Sequence, residues 1–381
     1  MSGGNGMGVP SPTVDDRGTS WLDGSGHDHE IVLSTRVRLA RNLQGYTFAL
    51  RADADDRRSV LDQVRHALGA SADLDDGVLW EMSELEAVER RILHERHVVS
   101  RELIGPDEGP APDGTALALG ASGPCGVMIN EEDHLRIQSL HNGMELEAAW
   151  QQVSELDEAL GSRLPYAFHH EFGFLTCCPT NVGTGLRASV LVHLPGLVLT
   201  KEINRVLQGI AQVGLTYRGL YGEGSEVVGN FFQISNQTTL GKSETDLVDH
   251  LREIGVQVVE YEKRARAVLL REAPYVLEDK VWRAYGILRH ARSLSFDEMM
   301  NLLSGVRLGL TLKLLRTPRV RTLNEIMIFA QSAHLERRAG RTLDEGDADV
   351  YRASFVRERL SAEGEATSSP SEPRPEADNS A

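Results

Sequence analysis

Four short runs gather the side chains able to do chemistry. S-T-R-V-R over residues 34–38 reads as a strand, so Arg36 and Arg38 point to the same side of it. N-E-E-D-H-L-R over 130–136 sets Glu131, Glu132, Asp133, His134 and Arg136 just after an apolar strand. T-C-C-P-T-N-V-G-T-G-L-R over 176–187 places Cys177 and Cys178 ahead of a Gly-Thr-Gly loop and Arg187. R-G-L-Y-G-E-G-S-E over 218–226, from Arg218 through Glu223, is glycine-rich and acidic, as mobile active-site loops often are. Arginine forks suit phosphate oxygens, and carboxylates suit cations and protons. Taken singly, each run has a plainer reading: ion-paired surface arginines, solvated acids, an ordinary turn, cysteines as apolar filler.

The elements that must carry these runs fall into two patterns. Ile31 to Ser34, Gly126 to Ile129 and Val190 to Leu194 are β-rich, and Glu145 to Leu160 has helical spacing through Leu146, Trp150, Val153 and Leu156. From about Glu262 the pattern is helical, and Ser295-Phe296-Asp297-Glu298 has the form of a capping box. Pro318 ends or kinks what precedes it. The reading is an α+β catalytic domain over 28–260, with a boundary near 258–265, then a smaller all-α domain over 261–360. Residues 1–27 and 361–381 are polar and are expected to be disordered ends. Two motifs are decoys. Gly241-Lys242-Ser243 lacks the first glycine of a P-loop, and Glu171-Phe172-Gly173 stands without the other protein-kinase signatures.

Composition excludes several classes. A net charge of -16 argues against a nucleic-acid partner. The start lacks the basic and apolar regions of a secretion signal, and Val190 to Leu199 is too short to span a bilayer, so the expected location is cytoplasmic. Three cysteines without C-x-x-C spacing supply neither a disulfide framework nor a zinc site.

Together the four runs resemble the ATP:guanidino (phosphagen) phosphotransferases, most closely the bacterial protein-arginine kinases, in motif content and in order. The resemblance implies a mainly antiparallel sheet flanked by helices, with ATP and nucleotide-borne Mg²⁺ as cofactors and no metal held by protein side chains. It assigns Arg36, Arg38, Arg136, Arg187 and Arg218 to the nucleotide phosphates, Glu132 to the catalytic base and Glu223 to a second grip on the guanidinium. Cys178 matches the family's reactive cysteine, Cys177 is assigned to packing, and His134 to a structural role at least as readily as a catalytic one. A guanidinium has no free lone pair to attack with, so two carboxylates must align one nitrogen and accept its proton.

Small-molecule members carry a helical domain ahead of the S-T-R-V-R strand. Here a helical region follows the catalytic domain instead, which points to arginine within proteins as the substrate. Free guanidino compounds and a non-catalytic adaptor are the alternatives. The resemblance also implies a homodimer, a zinc-binding activator protein, a Clp-type unfoldase-protease as partner and a role in stress response and protein quality control. A phosphoarginine pocket with an R-D-x-x-R-A motif would fall on Ala348-Asp349-Val350-Tyr351-Arg352-Ala353, where Asp349 and Arg352 remain but Ala348 replaces the first arginine.

Overall fold

Alternating side chains along Val32–Arg41 (β1) set the frame of the catalytic domain, because this strand lies at the middle of its sheet. The computed structural model describes residues 13–69, 77–106, 109–120, 125–219 and 227–364. The other sheet strands are β2 (Val78–Glu81), β3 (Ala116–Leu119), β4 (Cys125–Ile129), β5 (Leu135–Asn142), β8 (Leu186–His193), β9 (Leu215–Arg218) and β10 (Phe231–Asn236). They run in the order β2-β3-β4-β5-β1-β8-β10-β9 with every neighbouring pair antiparallel. Phe168–His169 (β6) and Gly173–Phe174 (β7) form a separate hairpin, and Glu171-Phe172 is simply its turn.

Register gives the sheet two unlike faces. Arg38 opposes Gln138 and Arg187, Arg36 opposes Leu140 and Ser189, Ala40 opposes Arg136, and Arg218 opposes Gln233. Directly opposed residues share a face, so all five arginines emerge on one side. Val37, Leu39, Ile137, Ala188, Val190 and Ile234 point the other way and are fully buried. That apolar face lies under α1 (Ala54–Leu68), α4 (Leu146–Gly161) and α7 (Glu244–Glu272). Each fully buried Leu, Ile or Val there contributes roughly 1.5–3 kcal/mol. Helix α1 starts where Asp53 accepts from the Asp56 N–H at 2.9 Å, and α7 starts in a reciprocal capping box of Ser243 with Asp246. The Gly-Lys-Ser that mimics a P-loop is this helix start.

The arginine face is covered at both ends. At one end Leu117, Leu119 and Met128 pack under α2 (Ala87–Glu95) and α3 (Arg101–Ile104). At the other, Leu140, Leu191 and Phe231 join the core of the helical domain, built from α8 (Pro274–His290), α9 (Phe296–Thr311), α10 (Val320–Phe329), α11 (Ser332–Ala339) and α12 (Glu345–Ala362). The two covers meet where the Glu95 carboxylate accepts from the N–H groups of Ala333 (2.8 Å) and His334 (3.2 Å) at the start of α11.

Two expectations need correction. Residues 13–27 are not a loose lead: Val14, Trp21 and Leu22 are each 2% exposed, and Trp21 and Leu22 sit in the helical domain's core. Asn142 fixes this segment, accepting from the N–H groups of Ser25 (2.8 Å) and Gly26 (2.7 Å) and donating to the Trp21 carbonyl (2.8 Å). The helical pattern also begins well before Glu262, because α7 runs unbroken through 258–265. Residues 1–12 and 365–381 lie outside the described residues.

Candidate active site

Between the two covers the sheet is open, and there lies a cavity of about 540 Å³ lined by Arg36, Arg38, Arg136, Arg187 and Arg218, with Glu132 and Cys178 on its edge. Burial, then repulsion from Arg218, Arg187 and Arg136, pulls Arg36 down to about 10. Burial and the Arg36 charge hold Arg38 well below its ordinary value. Guanidiniums that depress one another in this way are relieved by an anion with several negative oxygens. Arg218 is steadied by Gln233, whose Oε1 accepts from its Nε at 3.1 Å while Gln233 Nε2 donates to Ser189 Oγ at 2.8 Å.

The acidic run leaves β4 through Asn130, held at φ +56 by donating to the carbonyls of Arg57 (2.7 Å) and Gly114 (2.8 Å). Glu131 is buried and accepts from Arg136 Nε (2.9 Å) and Nη1 (3.1 Å) and from the Glu132 N–H (2.7 Å). It therefore aims both the arginine and the backbone of its neighbour. Glu132 pairs with Arg136 Nη2. Burial, with Asp133 and Glu131 nearby, nevertheless raises the Glu132 carboxyl above its usual range.

Asp133 is a joint between loops: its Oδ1 accepts from Asn42 Nδ2 (2.7 Å) and from the Cys177 N–H (2.8 Å). His134 is structural. Its Nδ1 accepts from the Leu43 N–H at 2.9 Å and its Nε2 lies 2.9 Å from the Thr47 carbonyl, which fixes a neutral tautomer, and burial lowers its pKa.

Cys178 precedes the 3₁₀ turn Pro179–Asn181, and its Sγ lies 3.0 Å from Thr180 Oγ1. The turn is pinned by glycine. Gly183 has φ +110, and a Cβ there would meet the Thr239 carbonyl oxygen at 2.7 Å. Cys177 differs from its neighbour: burial, then the Asp133 charge, pushes its thiol up to about 11. Glu223 lies outside the described residues.

Asp349 and Arg352, in α12, pair with each other. Arg352 is 3% exposed and donates to the carbonyls of Ala330 (3.0 Å) and Leu294 (2.8 Å), and Ala348 is buried beside them. Sequence reasoning missed Glu131 and Asp133 as organisers, Gln233 as a brace, and the cavity wall from His94 to Glu102. Only the two acids carried a signal, as members of the N-E-E-D run.

Solved structures that share this fold include guanidino kinases. Lombricine kinase superposes with TM-score 0.55 at 25% identity, over 68% of this chain and 72% of that one. The duplicated taurocyamine kinase of Schistosoma mansoni with bound transition-state-analogue components gives TM-score 0.56 at 26% identity, over 66% of this chain and 37% of that one. Residues 59–265 match the model of the ATP:guanido phosphotransferase C-terminal catalytic domain, and 274–371 match the protein-arginine kinase McsB C-terminal domain. Relatives named protein-arginine kinase include that of Halothermothrix orenii, 43% identical over 89% of this chain and 96% of its own length. That of Moorella thermoacetica is 44% identical over 91% and 98%. The chain belongs to the ATP:guanido phosphotransferase family, on its protein-arginine kinase branch. Arg136, Arg187, Arg218, Glu132 and Cys178 fall inside the matched catalytic range, and Arg36 and Arg38 precede it.

Proposed function

We infer that this chain is an ATP-dependent kinase that phosphorylates the guanidinium of arginine residues in proteins. The observation that carries the chemistry is the arginine-lined cavity with one raised carboxyl at its edge. What favours a protein substrate is the McsB-type helical domain and the names of relatives matched over nearly their whole length.

Phosphoryl transfer needs positioning and charge neutralisation more than covalent help. The five arginines hold the ATP phosphates and spread the charge that develops on the transferring group. A nitrogen of the target guanidinium attacks the γ-phosphorus, the bond to the β-bridging oxygen breaks, and ADP leaves. Glu132 takes the proton released from that nitrogen, and its raised affinity suits it to the task. Glu223, on its motif position, supplies the second carboxylate, and Cys178 a polarisable contact to the guanidinium. Mg²⁺ arrives on the nucleotide. The described residues contain no cluster of three His, Cys, Asp or Glu side chains suited to a metal, and the cavity's donor set is mainly guanidinium, so phosphate oxygens are its natural ligands.

Among the described residues, no helix is long and apolar enough to cross a membrane. We place the enzyme in the cytoplasm as a homodimer with a zinc-binding activator, marking stress-damaged proteins for a Clp-type protease. The test is incubation with Mg-ATP and casein, followed by treatment in acid and in mild base. Label lost in acid, kept in base and mapped to arginine supports the reading. Transfer only to free arginine or creatine overturns its protein-substrate half, and transfer to neither favours the non-catalytic adaptor or a missing activator.

A further inference from the structure

Glu132 and Arg136 stand between two cavities. One is the arginine-lined chamber. The other, about 380 Å³, opens beyond Glu132 and is walled by Ala49, Leu50, Pro112 and Thr115. Glu102, Glu132 and Arg136 line both, so the two adjoin across these side chains. The second cavity is unlike the first in lining. It has an apolar wall with Leu50 69% exposed at its rim, a large aliphatic side chain left in water beside a catalytic carboxylate. Its floor holds Asn130, 3% exposed, whose Nδ2 is spent on two carbonyls while its Oδ1 has no donor among the described residues. The Leu50 backbone also hydrogen-bonds the Cys177 sulfur, so the rim lies against the cysteine loop.

A nucleotide held by the five arginines leaves Glu132 approachable from the other side. A guanidinium arriving there brings its own chain along the second cavity. We propose that this groove is the subsite for the polypeptide flanking the target arginine. Leu50, with Ala49 and Pro112, takes an apolar side chain next to that arginine. The proposal rests on the protein-substrate reading above. The occupant follows from the groove's place against the catalytic chamber, and from Glu102 and Glu132, which suit a cationic side chain at the junction. At about 380 Å³ the groove is within the range of small-ligand pockets and fits a short peptide segment rather than a folded surface.

Steady-state kinetics on three substrates test it: free arginine, a short peptide with glycines around arginine, and the same peptide with leucine beside arginine. Wild type should favour the leucine peptide over the glycine peptide by roughly five- to tenfold in kcat/KM, the size of a partly buried aliphatic contact. Leu50→Ala should erase that preference while leaving the ATP KM and turnover of the glycine peptide unchanged. Leu50→Met should keep most of it. Peptides phosphorylated with no leucine preference, or with a preference that Leu50→Ala leaves intact, overturn the groove assignment alone. Turnover of free arginine with no peptide phosphorylated overturns the protein-substrate reading, and the groove with it.

Discussion

The arginines of the sheet and Arg352 of the helical domain have opposite uses. On the sheet, Arg36 and Arg38 face other guanidiniums across a cavity and are depressed by burial and by one another. In the helical domain, Arg352 is more fully withdrawn from water than either, and it spends its donors on two backbone carbonyls and on Asp349. Each region also has an arginine and an acid close in sequence. Glu132–Arg136 stands at the cavity's edge with its acid raised, while Asp349–Arg352 closes on itself. A buried cation answered by the protein is a structural part. A pair such as Arg36 and Arg38, depressed by burial and by neighbouring guanidiniums, is a site kept ready for an anion, at a cost in stability.

The sharpest break of that contrast is at the acids. Glu132→Gln should lower kcat by about 10²–10⁴ with nucleotide affinity little changed, because only proton transfer is removed. Asp349→Asn should leave kcat alone. Near-normal turnover in Glu132→Gln would sink the assigned base. Next come the arginines. Arg38→Ala should weaken ATP binding by about 10- to 100-fold, the worth of charge-assisted hydrogen bonds, without lowering Tm. Arg352→Ala should do the reverse. Two buried carbonyls lose their donor, so stability falls by about 2–4 kcal/mol while the ATP KM holds. Calorimetry with nucleotide titration on both variants separates these outcomes.

Legibility followed the same division. The strand at Arg36 and Arg38, the acidic run and the cysteine loop could be read because strand alternation and dense motifs are local signals. The register that gathers Arg136, Arg187 and Arg218 onto one face is non-local, and resemblance rather than physics supplied it. Trp21 and Val14 were lost in a polar segment because what holds them is distant in sequence, Asn142 for Trp21 and Glu89 with Arg337 for Val14. The start of α7 was hidden by a different competition, since Ser243 as a helix cap and Ser243 as a P-loop end look alike in one dimension. The wall at α2 and α3 offered no motif at all. Asp349 and Arg352 were legible as a pattern, but only packing reveals where their donors go.

A smaller effect is expected at Asp133, where the acid does for loops what Arg352 does for helices. Asp133→Ala frees Asn42 and the Cys177 N–H, so Cys178 and Glu132 lose their common anchor. Turnover should fall roughly tenfold through misplacement, with the ATP KM nearly unchanged. Asp133→Asn keeps an Oδ1 acceptor for both donors and should recover most of the loss. If the asparagine variant were as poor as the alanine, charge rather than positioning would be the role of Asp133.

The smallest effect is in pH, and the two regions should respond in opposite senses. Burial raises the folded pKa of Glu132 above 4.5, so the folded site holds its proton more tightly than the unfolded chain. Its contribution to stability is therefore fully present below the unfolded value and is lost as pH rises through the folded one. In the helical domain, hydrogen bonds from Arg319 and Thr322 lower Glu363 below 4.5, so its contribution is present above that value and is lost as pH falls through the folded one. Activity adds a second sign at Glu132, since the base must be ionised: kcat/KM should fall about tenfold per pH unit below its raised pKa. Denaturant titrations from about pH 2 to 8 on wild type, Glu132→Gln and Glu363→Gln would resolve the two trends. Glu132→Gln should flatten the loss on the alkaline side and Glu363→Gln the loss on the acid side. If Glu132→Gln instead steepened the alkaline loss, the ionised carboxylate would be a stabilising partner of Arg136, and the cavity edge would belong with the self-satisfied arginines of the helical domain.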